Sequence, residues 1–200
     1  MRRDPKQTRS QAKVAEILTA AQRVLIDRGV ENFTTNHVAS EAGCNISTIY
    51  RYFPEKHEIL HQLYHMWLAD EVALNLAAVA EAKHPIDPAT FVAELFRRHL
   101  ETHDEDAHAL AVELTKAHFL SKEIRAIEGR HEVGVVEAVL AHLPQMTSYS
   151  FTAEQVIYVF RLALSLLVMI NTAEPEDRAA LSDMAIGTLE QTVRGFYTQG

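Results

Sequence analysis

A chain of 200 residues with 48% hydrophobic content, seven Gly and six Pro can bury one or two substantial cores and has few breakers to interrupt long helices. The single cysteine, Cys44, excludes an internal disulfide and fits a reducing compartment. The net charge of −8 is uneven: residues 1–60 hold nine Lys/Arg against seven Asp/Glu and residues 61–200 ten against twenty, so the acidic remainder is not expected to bind nucleic acid.

Met1 to Ser10 is a polar arm with Arg2, Arg3, Lys6 and Arg9, expected to be unstructured by itself and suited to phosphate or minor-groove contacts. Nothing in it resembles a signal peptide, which points to a cytoplasmic protein. Gln11 to Asp27 reads as the first helix, with Ala15, Ile17, Leu18, Ala21, Val24 and Leu25 on one face and Arg28-Gly29 as its stop. Phe33 precedes a Thr34 cap in the manner of a hydrophobic staple. Val38, Ala39 and Ala42 then share a face, and Gly43 stands where a left-handed C-cap is wanted. Asn45 can cap a second short helix in which Ile46, Ile49, Tyr50 and Phe53 form a core stripe, before Pro54 ends it.

The opposite face of that second helix carries the chemistry. Ser47, Thr48, Arg51 and Tyr52 are short hydroxyls, a guanidinium and a phenol within about 10 Å of helix. Such groups reach base edges and phosphates in a major groove while the backbone comes close. The layout is a helix-turn-helix with a short recognition helix. Two amphipathic helices in an ordinary core would not explain this face, the Lys56 just beyond it and the basic flank before it.

Thr34-Thr35 before Val38-Ala39, then Ala42-Gly43, Thr48-Ile49-Tyr50, Tyr52-Phe53 and Lys56 resemble the DNA-binding domain of the tetracycline-repressor (TetR) family of bacterial one-component regulators. The likeness covers roughly residues 10 to 65. It implies operator contacts from Thr35, Asn36, Ser47, Thr48, Tyr50, Tyr52 and Lys56; Arg51 joins them from its place on the exposed face. Cys44 departs from the aliphatic residue usual in the family, and Ser47 from its frequent Gly or Pro, which leaves the base preference open. Cys44 itself reads as a small buried hydrophobe, with a redox role as the alternative.

Glu55 to about Ala82 reads as one long helix leading from Lys56 into the rest of the chain, a natural lever for a ligand signal. His57, His61 and His65 share one face of it at a spacing that could bind metal in pairs, although a solvated face explains them as well. Lys83 to Pro88 reads as a linker in which Asp87 caps a helix starting at Pro88 and running to Thr102. His103 to Asp106 reads as an acidic turn, and Ala107 to Leu120 as the next helix. His99, His103, Asp104 and His108 form the most metal-like cluster, for zinc or nickel, but no cysteine supports it and no metal is assigned.

Ser121 to Leu143 reads as a helix in which Gly129 and Gly134 permit a close helix approach, followed by a polar loop from Leu143 to Ser150. Thr152 caps a helix with Glu154 in its first turn. Val156 to Asn171 is apolar nearly all round and is expected to be buried on every side. Its longest run is interrupted by Tyr158, Arg161 and Ser165 and reads as too short to span a bilayer. Arg161 and Ser165 face either an interface or a pocket. Pro175 to about Tyr197 completes the chain.

These elements predict an all-α protein: a three-helix helix-turn-helix domain over residues 1–52 and a helical ligand-binding and dimerisation domain over residues 53–200. The resemblance implies a homodimer, here through the two C-terminal helices, a palindromic double-stranded operator, and release by a largely apolar small molecule. An apolar pocket is expected among Trp67, Phe91, Phe96, Leu110, Leu114 and Phe160, with His99, His118 and Arg125 as polar anchors. No cofactor and no membrane partner is implied, and no enzyme signature is present. The competing readings are a metal-responsive regulator and a helical small-molecule-binding protein.

Overall fold

The computed structural model describes residues 5–82, 85–102 and 105–198. Arg2 and Arg3 of the basic arm, Lys83 of the linker, and His103 and Asp104 of the metal-like cluster lie outside the described residues. Those described form nine helices and no strand: α1 (Pro5–Arg28), α2 (Thr35–Glu41), α3 (Ile46–Tyr52), α4 (Lys56–Glu81), α5 (Pro88–Thr102), α6 (Glu105–Leu120), α7 (Lys122–Met146), α8 (Ala153–Asn171) and α9 (Arg178–Thr198). The fold is all-α. The residues group into two compact units, one running to Trp67 and including Ala109–Ile124, the other made of Leu68–His108 and Arg125 onward. α4, α6 and the start of α7 place residues in the first unit, and the rest of each belongs to the second.

In the first unit, α1 packs on α2 and α2 on α3. Ile17 and Leu25 of α1, Phe33, Val38, Ile49, then Ile59 and Leu63 of α4 and Leu114 of α6 are fully buried. The 3.6-residue spacing of these apolar side chains along each helix produces one shared interior. α1 begins at Pro5, so the second half of the expected flexible arm is helical. Proline is well suited to a first helical position, where its fixed φ is already right and its missing N–H has no intrahelical partner to lose.

In the second unit, α9 packs against both α5 and α8 around Ala93, Phe96, Ile170, Ala185, Ile186 and Leu189. α8 departs from its sequence reading: Ile170 is its one buried residue. Val159, Leu162, Ala163, Leu166 and Leu167 lean on that core. Glu154, Tyr158, Arg161, Ser165 and Met169 form an outward stripe at i, i+4, i+7, i+11 and i+15. The polar interruptions of the apolar run therefore all fall on one line, which periodicity explains and average hydropathy conceals. At 19 residues α8 also meets the length and composition needed to cross a bilayer, contrary to the sequence reading.

Two further expectations change. Among the described residues no atom outside the local helix backbone lies within 4 Å of where a Cβ would sit at Gly129 or Gly134, so no described helix packs closely at either glycine. The predicted loop after Leu143 is still helix to Met146, with Pro144 inside the last turn. There Met146 accepts the Ile86 N–H at 2.8 Å, and Leu143 that of Thr147 at 3.0 Å.

The start of α5 and the end of α9 are tied through Asp87. Its carboxylate caps α5 by accepting from the Thr90 N–H (3.2 Å), and it takes the Tyr197 hydroxyl at 2.5 Å and Arg194 at 3.2 Å. Tyr149 stacks on the Tyr197 ring at 4.1 Å. The Tyr197 hydrogen bond, helped by Thr90, holds the Asp87 carboxyl at about 2, and burial with that same hydrogen bond pushes the Tyr197 phenol up to about 12. A depressed carboxyl stabilises the fold above its ordinary value of 3.8 and a raised phenol does so below its ordinary 10.0. Stability from this knot is thus expected to fall between about pH 4 and 2 and again between about pH 10 and 12. Tyr197→Phe should flatten both flanks and lower stability by about 1 kcal/mol, the low end for a hydrogen bond to a carboxylate that keeps part of its surface in solvent. Thermal melts across pH check this.

Candidate nucleic-acid interface

The recognition helix is set by two side-chain caps and one left-handed glycine. The Thr34 side chain accepts the His37 N–H at 3.2 Å and starts α2. After Ala42, Gly43 adopts φ +57°, its N–H donating to Ser40 at 3.2 Å while the Cys44 N–H donates back to Ala39 at 3.0 Å. That pair of bonds is the Schellman arrangement, which favours an apolar residue at the place Cys44 occupies. Cys44 is half-buried and unbonded to any other cysteine. Asn45 Oδ1 then accepts the Ser47 N–H at 2.9 Å and opens α3.

α3 buries Ile49, and Phe53 follows it into the core. Tyr50, read from sequence as both core and DNA-facing, is 49% exposed and belongs to the outer surface. Its hydroxyl lies 3.3 Å from Thr35 Oγ1, which joins the start of α2 to α3 beneath the exposed face. Thr35 itself is buried, so its hydroxyl is held in place by its surroundings. Asn36, Ser47, Arg51 and Lys56 are exposed, and Thr48 and Tyr52 half-buried. The Arg51 guanidinium sits 4.9 Å from the centroid of the Tyr52 ring, a cation–π contact that limits the freedom of an arginine otherwise open to solvent.

Lys13 of α1 was not singled out in the sequence. The Glu16 carboxylate beside it raises it above the usual lysine range, and Cys44 and Tyr52 are close enough to add to the effect. α1 therefore adds a cation, paired with Glu16, to the electrostatics of this unit. No local motif announces it, because the closeness is tertiary.

The histidines of α4 are partly brought together. The His57 and His61 rings are 5.1 Å apart, and His57 Nδ1 is 3.0 Å from Glu55. Burial lowers the His61 pKa, with His57 adding to the shift, and His61 Nε2 is buried with no hydrogen-bond partner. His65 is exposed. Among the described residues no group of three or more His, Cys, Asp or Glu is placed to hold a metal ion.

The residues expected to line a pocket are divided. Trp67, Leu110, Leu114 and His118 belong to the first unit, and Phe91, Phe96, His99, Arg125 and Phe160 to the second. Phe96 is in the core with α9, and Phe160 lies 6.1 Å from the His131 ring. Phe91 alone of the nine lines the cavity of about 350 Å³ in the second unit, beside Ile86, Leu95 and the Glu81–Arg98 ion pair at 2.8 Å. Arg161 pairs with Glu132 through two hydrogen bonds of 2.8 and 2.9 Å, and Ser165 donates to the Arg161 carbonyl.

Comparison with known proteins bears on the same residues. Residues 17–63 match the family described as bacterial regulatory proteins, tetR family. No curated protein sequence matches the chain. Among solved structures, GusR of Salmonella enterica is 15% identical, with 92% of this chain and 94% of that one aligned at a TM-score of 0.68. The TetR-family transcriptional regulator PfmR of Thermus thermophilus is 20% identical over 89% and 97% at 0.59. The multidrug-binding protein EbrR, in complex with imidazole, is 18% identical over 94% and 90% at 0.66. These likenesses establish the fold along nearly the whole chain.

Removing a cap should loosen the recognition helix directly. Asn45→Ala is expected to lower stability by about 1 kcal/mol, the usual worth of an N-cap. Gly43→Ala should cost about 1–2 kcal/mol although there is open space for the methyl, because φ is left-handed there. Chemical denaturation of the two variants measures both.

Proposed function

We propose that the chain, whose residues 17–63 match the tetR family of bacterial regulatory proteins, is a dimeric repressor that leaves a palindromic operator when a small molecule binds its second unit. The observation that carries this reading is the outer face of α3, a helix with capped ends that carries hydroxyls and an arginine stacked on a tyrosine, with Lys56 following at the start of α4. Ser47, Thr48 and Arg51 address base edges. Asn36, Tyr50, Tyr52 and Lys56 address phosphates, and the buried Thr35 hydroxyl supports this set from beneath by holding Tyr50.

Dimerisation through α8 and α9 accounts for the outward stripe of α8. Tyr158 and Met169 are 56% and 40% exposed, and Met184 of α9 is 67% exposed, more large apolar surface than these helices need to show as a single chain. Two copies joined there set their recognition helices about 34–36 Å apart, one turn of DNA. A largely apolar effector acts by favouring one of two states, and α4 and α6, each with residues in both units, carry the difference. The description of EbrR as multidrug-binding supports a small-molecule effector for a chain of this fold.

Tyr52→Ala and Lys56→Ala should each weaken duplex binding about tenfold in a fluorescence-anisotropy titration while the melting temperature stays within a few degrees. Lys56→Ala should also reduce the dependence of log K on log salt by about one unit, as for one lost phosphate contact. Unchanged affinity in both variants would sink the assignment of this face. Met169→Asp places a charge on the α8 stripe and should shift the chain toward monomer in sedimentation; an unaltered dimer would place the interface elsewhere.

A further inference from the structure

Among the described residues Glu113 is the one charged residue that is buried. It lies on α6, in the stretch Ala109–Ile124 that folds with the DNA-reading unit. Its Oε2 accepts the Val30 N–H at 2.7 Å, across 83 positions of sequence. Its Oε1 takes the Lys116 ammonium at 2.6 Å. The carboxylate also sits where α1 turns toward α2: an ideal Cβ at Gly29, whose φ is +72°, would lie 3.2 Å from Oε2. Leu114 and Ala117 beside it are buried in the same unit.

Simple stabilisation does not account for this choice of residue. The C-terminal end of α1 is the negative end of its helix dipole, so a carboxylate there is repelled by the α1 carbonyls. Burying a charge is a weak way to add stability, and an apolar side chain of similar size commonly does as well. A buried charge with two directed partners does something an apolar contact cannot: it fixes one register of α6 against the α1–α2 junction. One register of that junction sets where α2 begins, and α2 carries the turn that launches α3.

We propose that Glu113 is the positioning residue through which α6 holds the helix-turn-helix in its DNA-reading arrangement, its carboxylate fixing the α1–α2 junction through the Val30 N–H. The inference rests on the function proposed above and names a contact that positions its DNA-reading helices. Loss of the bond lowers the fraction of molecules competent to read DNA, and the apparent dissociation constant rises by the same factor. Non-specific attraction to phosphates, which needs no such arrangement, stays as it was.

The test uses the full chain and the tightest duplex that the wild type recovers from a random-sequence pool. Glu113→Leu removes the acceptor, Glu113→Gln keeps an acceptor oxygen at the same reach, and Glu113→Asp keeps the charge but draws it back by one methylene. Glu113→Leu and Glu113→Asp should each lose at least tenfold in affinity for the selected duplex, with faster hydrogen exchange at the Val30 amide. Glu113→Gln should stay within threefold of wild type, and all should bind an unrelated duplex equally at low salt. If Glu113→Leu does not fold, Glu113→Asp carries the same comparison. Wild-type affinity in Glu113→Asp, or losses equal across all three variants with Val30 exchange unaltered, would overturn the proposal. A wild type that recovers no preferred duplex is a different outcome, one that removes DNA reading itself.

Discussion

A helix of seven residues does not hold itself together in water: nucleation costs more than so few hydrogen bonds return. α3 is such a helix, and it carries the surface on which the proposed function depends. The Schellman turn at Gly43 and the Asn45 cap set its first turn, and Ile49 and Phe53 anchor its inner side in the core. The buried Thr35 beneath Tyr50 ties its outer side back to α2. With its ends capped and its inner side buried, its polar face is left open to solvent. α1, the first half of α4 and the inner stretch of α6 extend the platform that makes this possible.

The second unit is built on a different pattern of contacts. Its core is a modest cluster around α5, α8 and α9, and directed polar links close its edges. Asp87 serves three partners at once, capping α5 while holding Tyr197 and Arg194 of α9. α8 rests only one side on this core, which is why a helix so apolar by composition has a single buried residue within one chain. An outward stripe mixing Tyr158, Arg161 and Met169 matches the composition of interfaces, where aromatic residues, methionine and arginine are enriched.

Local chemistry was legible wherever a residue acts on its own backbone. Thr34, Asn45, Asp87 and Thr152 all cap the helices expected of them, and Gly43 takes the left-handed conformation its place requires. Errors arose where two readings shared a helix face. Tyr50 fell on the apolar stripe by spacing, yet a phenol at the edge of a short helix reaches solvent and finds Thr35. In α8, mean hydropathy hid an ordered stripe. Pro144 signalled a loop, but near a helix end the loss of one N–H does not prevent the last turn from closing to Met146.

By itself the sequence determined the all-α class, the order of the helices and the bounds of α2, α3 and α5, and the chemistry of the face proposed for recognition. These follow from periodicity and from side chains that bond within four residues of themselves. The start of α1, the start of α6, the end of α7 and the start of α9 lay two to six residues from their expected places. The tertiary structure alone decided that Ala109–Ile124 returns to the first unit, that Glu113 meets Val30, and that Phe91 alone of the expected pocket residues lines the cavity of the second unit. Each of these joins positions far apart in the chain, and no spacing rule operates over such distances. At the level of residues, the stretch from Thr34 to Lys56 displays the surface proposed to read DNA, while the contacts that hold it in place come from segments that carry no motif of their own.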